Sequence, residues 1–227
     1  MELHGLQKMT LLDYPGKVAC TVFLGGCDLR CPFCHNAGLI DGSAPPVLDS
    51  AALLDFLKKR RGLLEGVAIT GGEPLLRELG PLLTEIRALG YPVKLDTNGT
   101  HPERLQALFD AGLVDYVAMD IKNSPARYAG TVGVPGFDLA PVRRSIALLL
   151  RGDTDYEFRT TVVAELHDSA SFHEIGAMIR GARRYFLQPF TDRESVAFAG
   201  LHAPGAEALE RWRKIMEEYV GRAEIRG

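Results

Sequence analysis

No apolar run in this 227-residue chain approaches the roughly 20 residues that a membrane-spanning helix requires. The opening residues also lack the charged, then apolar, then small-residue order of a secretory signal, so a cytoplasmic protein is expected. Net charge is small too. The 26 lysines and arginines against 29 aspartates and glutamates leave a formal net charge of −3, too little to draw the chain to nucleic acid or an anionic membrane. The densest basic string, Lys58-Lys59-Arg60-Arg61, falls at the end of an expected helix, where cations favour the negative end of the dipole. Cysteine is limited to four residues, three of them crowded into one loop, which excludes a secreted disulfide framework. Neither a repeat nor a linker interrupts the sequence. What remains is an ordinary globular composition, 46% apolar and 24% charged, in a chain long enough to bury a full core.

Apolar residues alternate between short runs and helical spacing. Residues 18–24 read as a buried first strand in which Cys20 is a core thiol, since free cysteine packs as a small hydrophobe. A loop over 25–42 follows, longer than ordinary connections and for that reason a candidate for function. Helices are then expected over 51–61, 75–89, 102–111, 139–149, 171–180 and about 206–219, with strands over 67–70, 93–97, 114–121, 156–163 and 185–189. Leu209, Trp212, Ile215, Met216 and Tyr219 share a stripe on the last helix, which reads as core packing. Six strands alternating with helices argue for an α/β fold with a parallel sheet, doubly wound or barrel-like. In either architecture ligands bind at the carboxyl ends of the strands.

The long loop carries Gly26-Cys27-Asp28-Leu29-Arg30-Cys31-Pro32-Phe33-Cys34-His35-Asn36, with no fourth cysteine nearby. Soft thiolates at short spacing favour zinc or iron–sulfur chemistry. Structural zinc wants four protein ligands, so it requires His35 or the separate Cys20 to complete a tetrahedron. A redox dithiol is a further reading. A 4Fe–4S cube on three cysteines instead leaves one iron open to a non-protein ligand.

The Cys-x3-Cys-x2-Cys spacing, with aromatic Phe33 just before the last cysteine, resembles the signature of the radical SAM enzymes. That resemblance implies that Cys27, Cys31 and Cys34 ligate a 4Fe–4S cluster whose open iron chelates S-adenosylmethionine (SAM). An electron then cleaves the sulfonium to a 5'-deoxyadenosyl radical, and Phe33 reaches toward the adenine. It also selects, between sheet and barrel, a partial (βα)6 barrel open on one side, as a single radical SAM domain over residues 1–227.

Polar strings fall at the strand ends. Thr70-Gly71-Gly72-Glu73-Pro74 follows the second strand, where paired glycines let backbone approach a ligand and Glu73 offers an acceptor. It looks like the family motif that binds the amino group of SAM. Asp96-Thr97-Asn98-Gly99 and Met119-Asp120-Ile121-Lys122 close the next two strands, and such residues also cap following helices. Both strings resemble those of glycyl radical enzyme activators, which implies Asp96 and Asp120 near a monovalent cation and Lys122 near the SAM carboxylate. Arg159 in an apolar strand must pair with something, since a buried unpaired charge is costly. A structural salt bridge is one partner, and the resemblance suggests the SAM carboxylate as another. Gln188-Pro189-Phe190-Thr191 stands where pyruvate formate-lyase activators carry a leucine-proline-tyrosine-histidine string, so Gln188 joins the site but Thr191 replaces a histidine that contacts ribose.

From Thr10-Leu11-Leu12-Asp13-Tyr14-Pro15-Gly16-Lys17 to the sixth strand, the chain is most similar to activating proteins of anaerobic ribonucleoside-triphosphate reductase. The resemblance implies a glycyl radical enzyme as partner and substrate. Residues 42–46 (Gly-Ser-Ala-Pro-Pro), beside the cysteine loop, are expected to form a flexible rim for the partner's loop. With only Cys20 outside the triad, a second cluster is not expected, and the electron comes from reduced flavodoxin or ferredoxin. The alternatives are a pyruvate formate-lyase-type activase, a small-molecule radical SAM enzyme such as a 7-deazaguanine synthase, and a non-catalytic zinc-binding module.

Overall fold

A computed structural model describes residues 1–41, 43–196 and 198–227. Gly42, the end of the expected cysteine loop and the first residue of the expected rim, lies outside the described residues. Among the described residues no helix is long and apolar enough to cross a membrane. The chain divides into two compact units.

The first unit comprises Met1–Asp28, Gly38–Thr97 and Glu103–Val117. It holds β1 (Glu2–Leu3), β2 (Gly5–Thr10), β3 (Ala19–Leu24), β4 (Leu48–Asp49), α1 (Ser50–Lys59), β5 (Gly66–Gly71), α2 (Gly80–Ala88), β6 (Val93–Thr97) and nearly all of α3 (Pro102–Asp110). Its strand order is β2-β3-β5-β6, with β3, β5 and β6 parallel and β2 antiparallel at the edge. The inner strands are near-continuous apolar runs because both faces of a parallel sheet are covered. Leu53, Leu54 and Leu57 form the buried stripe of α1, and Asp49 caps it by accepting from the Ala52 amide at 2.8 Å. The expected helix at 75 starts instead at Gly80. Pro74–Leu76 form a separate 3-10 turn, because the Glu73 carboxylate accepts from the Leu75 amide and closes the chain there.

The second unit comprises Leu29–Ala37, Asn98–Pro102 and Ala118–Gly227. It holds the end of β7 (Tyr116–Asp120), then α4 (Tyr128–Val132), α5 (Ala140–Leu150), β8 (Asp155–Val162), α6 (Ser169–Met178), β9 (Tyr185–Pro189), α7 (Ala206–Glu217) and β10 (Ala223–Ile225). Strand order here is β7-β8-β9-β10, and β9 pairs parallel with both β8 and β10. The stripe on α7 is core, as expected: Leu209, Trp212 and Met216 are buried, and Trp212 stacks on Phe172 of α6 at 5.0 Å. Helix α6 starts at Ser169 because Asp168 and Ser171 form a reciprocal capping box. Arg226 pins β10 by donating two hydrogen bonds, at 2.7 and 3.0 Å, to the fully buried Glu157 carboxylate.

Candidate active site

Each unit gathers some of the residues that the sequence singles out. In the first, β3 and β5 end as parallel neighbours with Leu24 opposite Gly71. The amides of Gly72 and Glu73 donate to the carbonyls of Leu24 and Gly26, both at 2.8 Å. A Cβ on Gly72 would stand 1.9 Å from the Gly26 oxygen, and one on Gly71, at φ +122°, would stand 2.3 Å from the Leu24 oxygen. Only glycine fits at either place, so the paired glycines are dictated by the close approach of the turn to the start of the cysteine loop. The Gly26 and Cys27 amides are held in turn by the carbonyls of Leu39 and Ile40 at 2.7 and 2.9 Å.

Glu73 is fully buried, and its Oε1 accepts from the Leu75 amide at 3.0 Å and the Thr97 hydroxyl at 2.9 Å. The carboxylate thus ties the end of β5 to the end of β6 and faces protein. What this turn leaves half-exposed is the backbone of Gly71 and Gly72. Asp96, at the end of β6, is paired with the almost fully buried Lys94 ammonium.

In the second unit the Cys34 amide donates to the Cys31 carbonyl at 3.2 Å, so Cys31-Pro32-Phe33-Cys34 is one tight turn with a thiol at each end. Phe33 packs with Val163 and Phe190, and Cys31 lies against the same cluster. Burial pushes the Cys31 thiol up to about 11 against the opposing pull of the Lys122 ammonium. That ammonium stands 6.0 Å from the Phe33 ring centroid. Asp120 accepts from Lys122 Nζ at 3.0 Å and from Arg159 Nε at 2.6 Å. Burial would raise the Asp120 carboxyl, but the Arg159 and Lys122 charges outweigh it and hold the group well below the usual carboxylate range. Burial likewise opposes charge on Lys122, and the neighbouring Asp120 carboxylate outweighs that and keeps the ammonium protonated. Asp120 is therefore the salt-bridge partner for Arg159. Gln188 is half-buried in β9, opposite Thr161 of β8.

Where Thr191 replaces the expected histidine, an imidazole arrives from the cysteine loop. His35 Nε2 is 2.7 Å from the Thr191 carbonyl oxygen, and its ring stacks on Phe190 at 5.7 Å. Sequence reasoning missed the residues that seat this neighbourhood. The Tyr128 hydroxyl accepts from the Lys122 amide at 3.4 Å, and His167 Nε2 is 3.0 Å from the Lys122 carbonyl. Helix α4, also missed, ends at Gly133, whose φ of +67° and contact with the Arg30 carbonyl exclude a side chain. The Arg30 amide donates to Val132 at 2.8 Å. Asn123, three residues beyond β7, is buried and donates to the Thr131 hydroxyl of α4 at 2.8 Å, and an amide residue so soon after a strand end was the available signal.

Among the described residues, no group of three or more histidine, cysteine, aspartate or glutamate side chains is gathered as a ready metal site. The donor chemistry nonetheless fits an iron–sulfur cluster. None of the four cysteines is in a disulfide, and Cys27, Cys31 and Cys34 are partly exposed. Each of the two side chains that could complete a zinc tetrahedron is engaged elsewhere: His35 on Thr191, and Cys20 fully buried in β3 with its thiol pushed up to about 12 by burial.

The model of the Radical SAM superfamily matches residues 21–166. A Methanocaldococcus jannaschii protein that carries the provisional name glycyl-radical enzyme activating enzyme is 29% identical over 233 aligned positions, covering 99% of this chain and 95% of that protein. A 7-carboxy-7-deazaguanine synthase of Hyperthermus butylicus is 29% identical over 206 positions, covering 88% and 81%. The crystal structure of Streptococcus suis SuiB bound to precursor peptide SuiA matches with a TM-score of 0.69 at 15% identity, over 91% of this chain and 48% of that one, a likeness of fold.

Proposed function

Because the chain belongs to the radical SAM superfamily and has its partial (βα)6 barrel fold, we propose that it is an activase that generates a glycyl radical on a partner enzyme, most specifically anaerobic ribonucleoside-triphosphate reductase. One observation carries the choice of activase: the similarity to the Methanocaldococcus jannaschii protein runs over 99% of this chain. The resemblance that runs from Thr10–Lys17 through the cysteine loop to the sixth strand supports the reductase as partner. Cys27, Cys31 and Cys34 would hold a 4Fe–4S cluster, which when bound supplies the electron for reductive cleavage of SAM. With Cys20 buried in a strand, that electron comes from an outside donor, reduced flavodoxin or ferredoxin.

The remaining roles fall to the chain's own groups. The half-exposed backbone of Gly71 and Gly72 meets the SAM ammonium, and Glu73 shapes that turn from behind. Lys122 and Arg159 meet the SAM carboxylate, their cationic heads held in place by Asp120. Phe33 and Gln188 serve the adenosyl moiety.

A second reading, synthesis of a 7-deazaguanine, is favoured by the similarity to the Hyperthermus butylicus enzyme over 88% of the chain. Isotope transfer separates the two. The protein, reconstituted with iron and sulfide under anaerobic conditions, is incubated with SAM, a reductant and reductase carrying α-deuterated glycine. Deuterium in 5'-deoxyadenosine supports the activase. Label transferred from a pterin-like small molecule, and never from a glycyl radical enzyme, replaces it with the second reading.

A further inference from the structure

We propose that His4 and Arg77 are positioning residues for the cysteine loop, clamping Gly25 by its amide and its carbonyl so that Cys27 is presented at a fixed place. The purpose of the clamp rests on the proposed cluster ligation by Cys27, whereas the clamp itself stands on geometry within the first unit. The His4 backbone amide donates to the Phe23 carbonyl at 2.8 Å, which sets His4 beside the end of β3. Its side-chain Nδ1 then accepts from the Gly25 amide at 3.0 Å. An N–H pointing at Nδ1 requires that nitrogen to be unprotonated, so the proton of the neutral ring is on Nε2. The ring lies so near that a Cβ on Gly25 would fall 2.8 Å from its Cε1 and Nε2 atoms. Arg77 Nη2 donates to the Gly25 carbonyl oxygen at 3.1 Å.

The clamp sits where the chain most needs one. Gly25-Gly26 immediately precedes Cys27, and a glycine pair has more backbone freedom to lose than any other dipeptide. Gly26, at φ +94°, is tied at its own amide to Leu39 and at its carbonyl to Glu73. His4 and Arg77 do the same for Gly25, so all four backbone groups of the pair are bonded. A loop meant only to connect would leave these groups to water. It also gives a use to β1 and β2, the two short strands that flank His4.

The test compares His4→Asn, which keeps an acceptor oxygen near the place of Nδ1, with His4→Phe, which keeps a ring and loses the acceptor, and with Arg77→Met, which loses the donor. In the metal-free protein, the amide hydrogen exchange of Gly25 is expected to speed up about tenfold in His4→Phe and to stay near wild type in His4→Asn. In the reconstituted protein, iron loss to a chelator should accelerate in His4→Phe and Arg77→Met. The electron paramagnetic resonance signal of the reduced cluster should change in both, and His4→Asn should restore wild-type behaviour. Wild-type exchange and iron retention in both His4→Phe and Arg77→Met overturn the proposal. So does a His4→Asn variant as impaired as His4→Phe, because ring packing would then explain the effect. If His4→Phe fails to fold, the exposed Arg77 carries the same test. A wild-type protein that takes up no cluster contradicts the functional reading instead, and the exchange rates still decide the clamp.

Discussion

Asp120 holds two cations with one carboxylate, at 3.0 Å from Lys122 and 2.6 Å from Arg159, and all three side chains are at most about a fifth exposed. Removing its charge leaves both cations with a lost partner in a poorly solvated place. Asp120→Asn should therefore cost about 3 kcal/mol at neutral pH, read by urea unfolding. Because the folded carboxyl is held low, its contribution is complete above the ordinary carboxyl value of about 3.9 and is lost as pH falls through and below it. The gap between wild type and Asp120→Asn should narrow as the pH drops below about 4, and a gap independent of pH contradicts the pairing. The cysteines separate in the same residue-level way. Burial pushes the Cys20 thiol up to about 12, so it should resist iodoacetamide at pH 8 until the chain unfolds. Cys20→Ala should keep a full complement of iron after reconstitution, whereas Cys27→Ala, Cys31→Ala and Cys34→Ala should each lose it. Loss of iron in Cys20→Ala alone reverses the ligand assignment.

Glycines in and beside the elements give the sharpest contrasts between one substitution and the next. Gly72→Ala places a methyl 1.9 Å from the Gly26 carbonyl oxygen and should destabilise by about 3 kcal/mol, because backbone cannot swing aside as a side chain would. Gly130→Ala, in α4 with nothing within 4 Å of its Cβ, should instead stabilise by about 0.5–1 kcal/mol. Thermal unfolding of the two variants checks both signs. Elements with a full apolar run were legible in the sequence: β3, β5, β6 and β9 fall within a residue or two of the strands expected from their runs. Strands of two or three residues, β1, β4 and β10, and the five-residue α4 are too short to show a period. At the site, residue type gave away the motifs, since glycine pairs, cysteines and charges at strand ends are unlike core. Their partners were not legible. His4 and Gly25 are 21 residues apart, Glu73 and Thr97 are 24 apart, and His35 and Thr191 are 156 apart, so folding brings together what no local pattern connects.

For the molecule as a whole, the superfamily and the enzyme class rest on a match over residues 21–166, and the fold on likeness to a solved structure over 91% of the chain. Neither decides which hydrogen is removed, because related radical enzymes with one fold act on proteins and on small molecules. The decision lies in the partner. An activase positions a protein glycine with binding energy from contacts remote from it, so an intact partner should react far faster than a short peptide bearing the same glycine. The most direct measurement is electron paramagnetic resonance of a candidate glycyl radical enzyme, anaerobic ribonucleotide reductase first, after anaerobic incubation with the reconstituted protein, SAM and a reductant. A glycyl radical signal that requires SAM and is lost with Cys31→Ala is the expected result. SAM cleavage proceeding normally while no glycyl radical forms on any such enzyme contradicts the proposed activity.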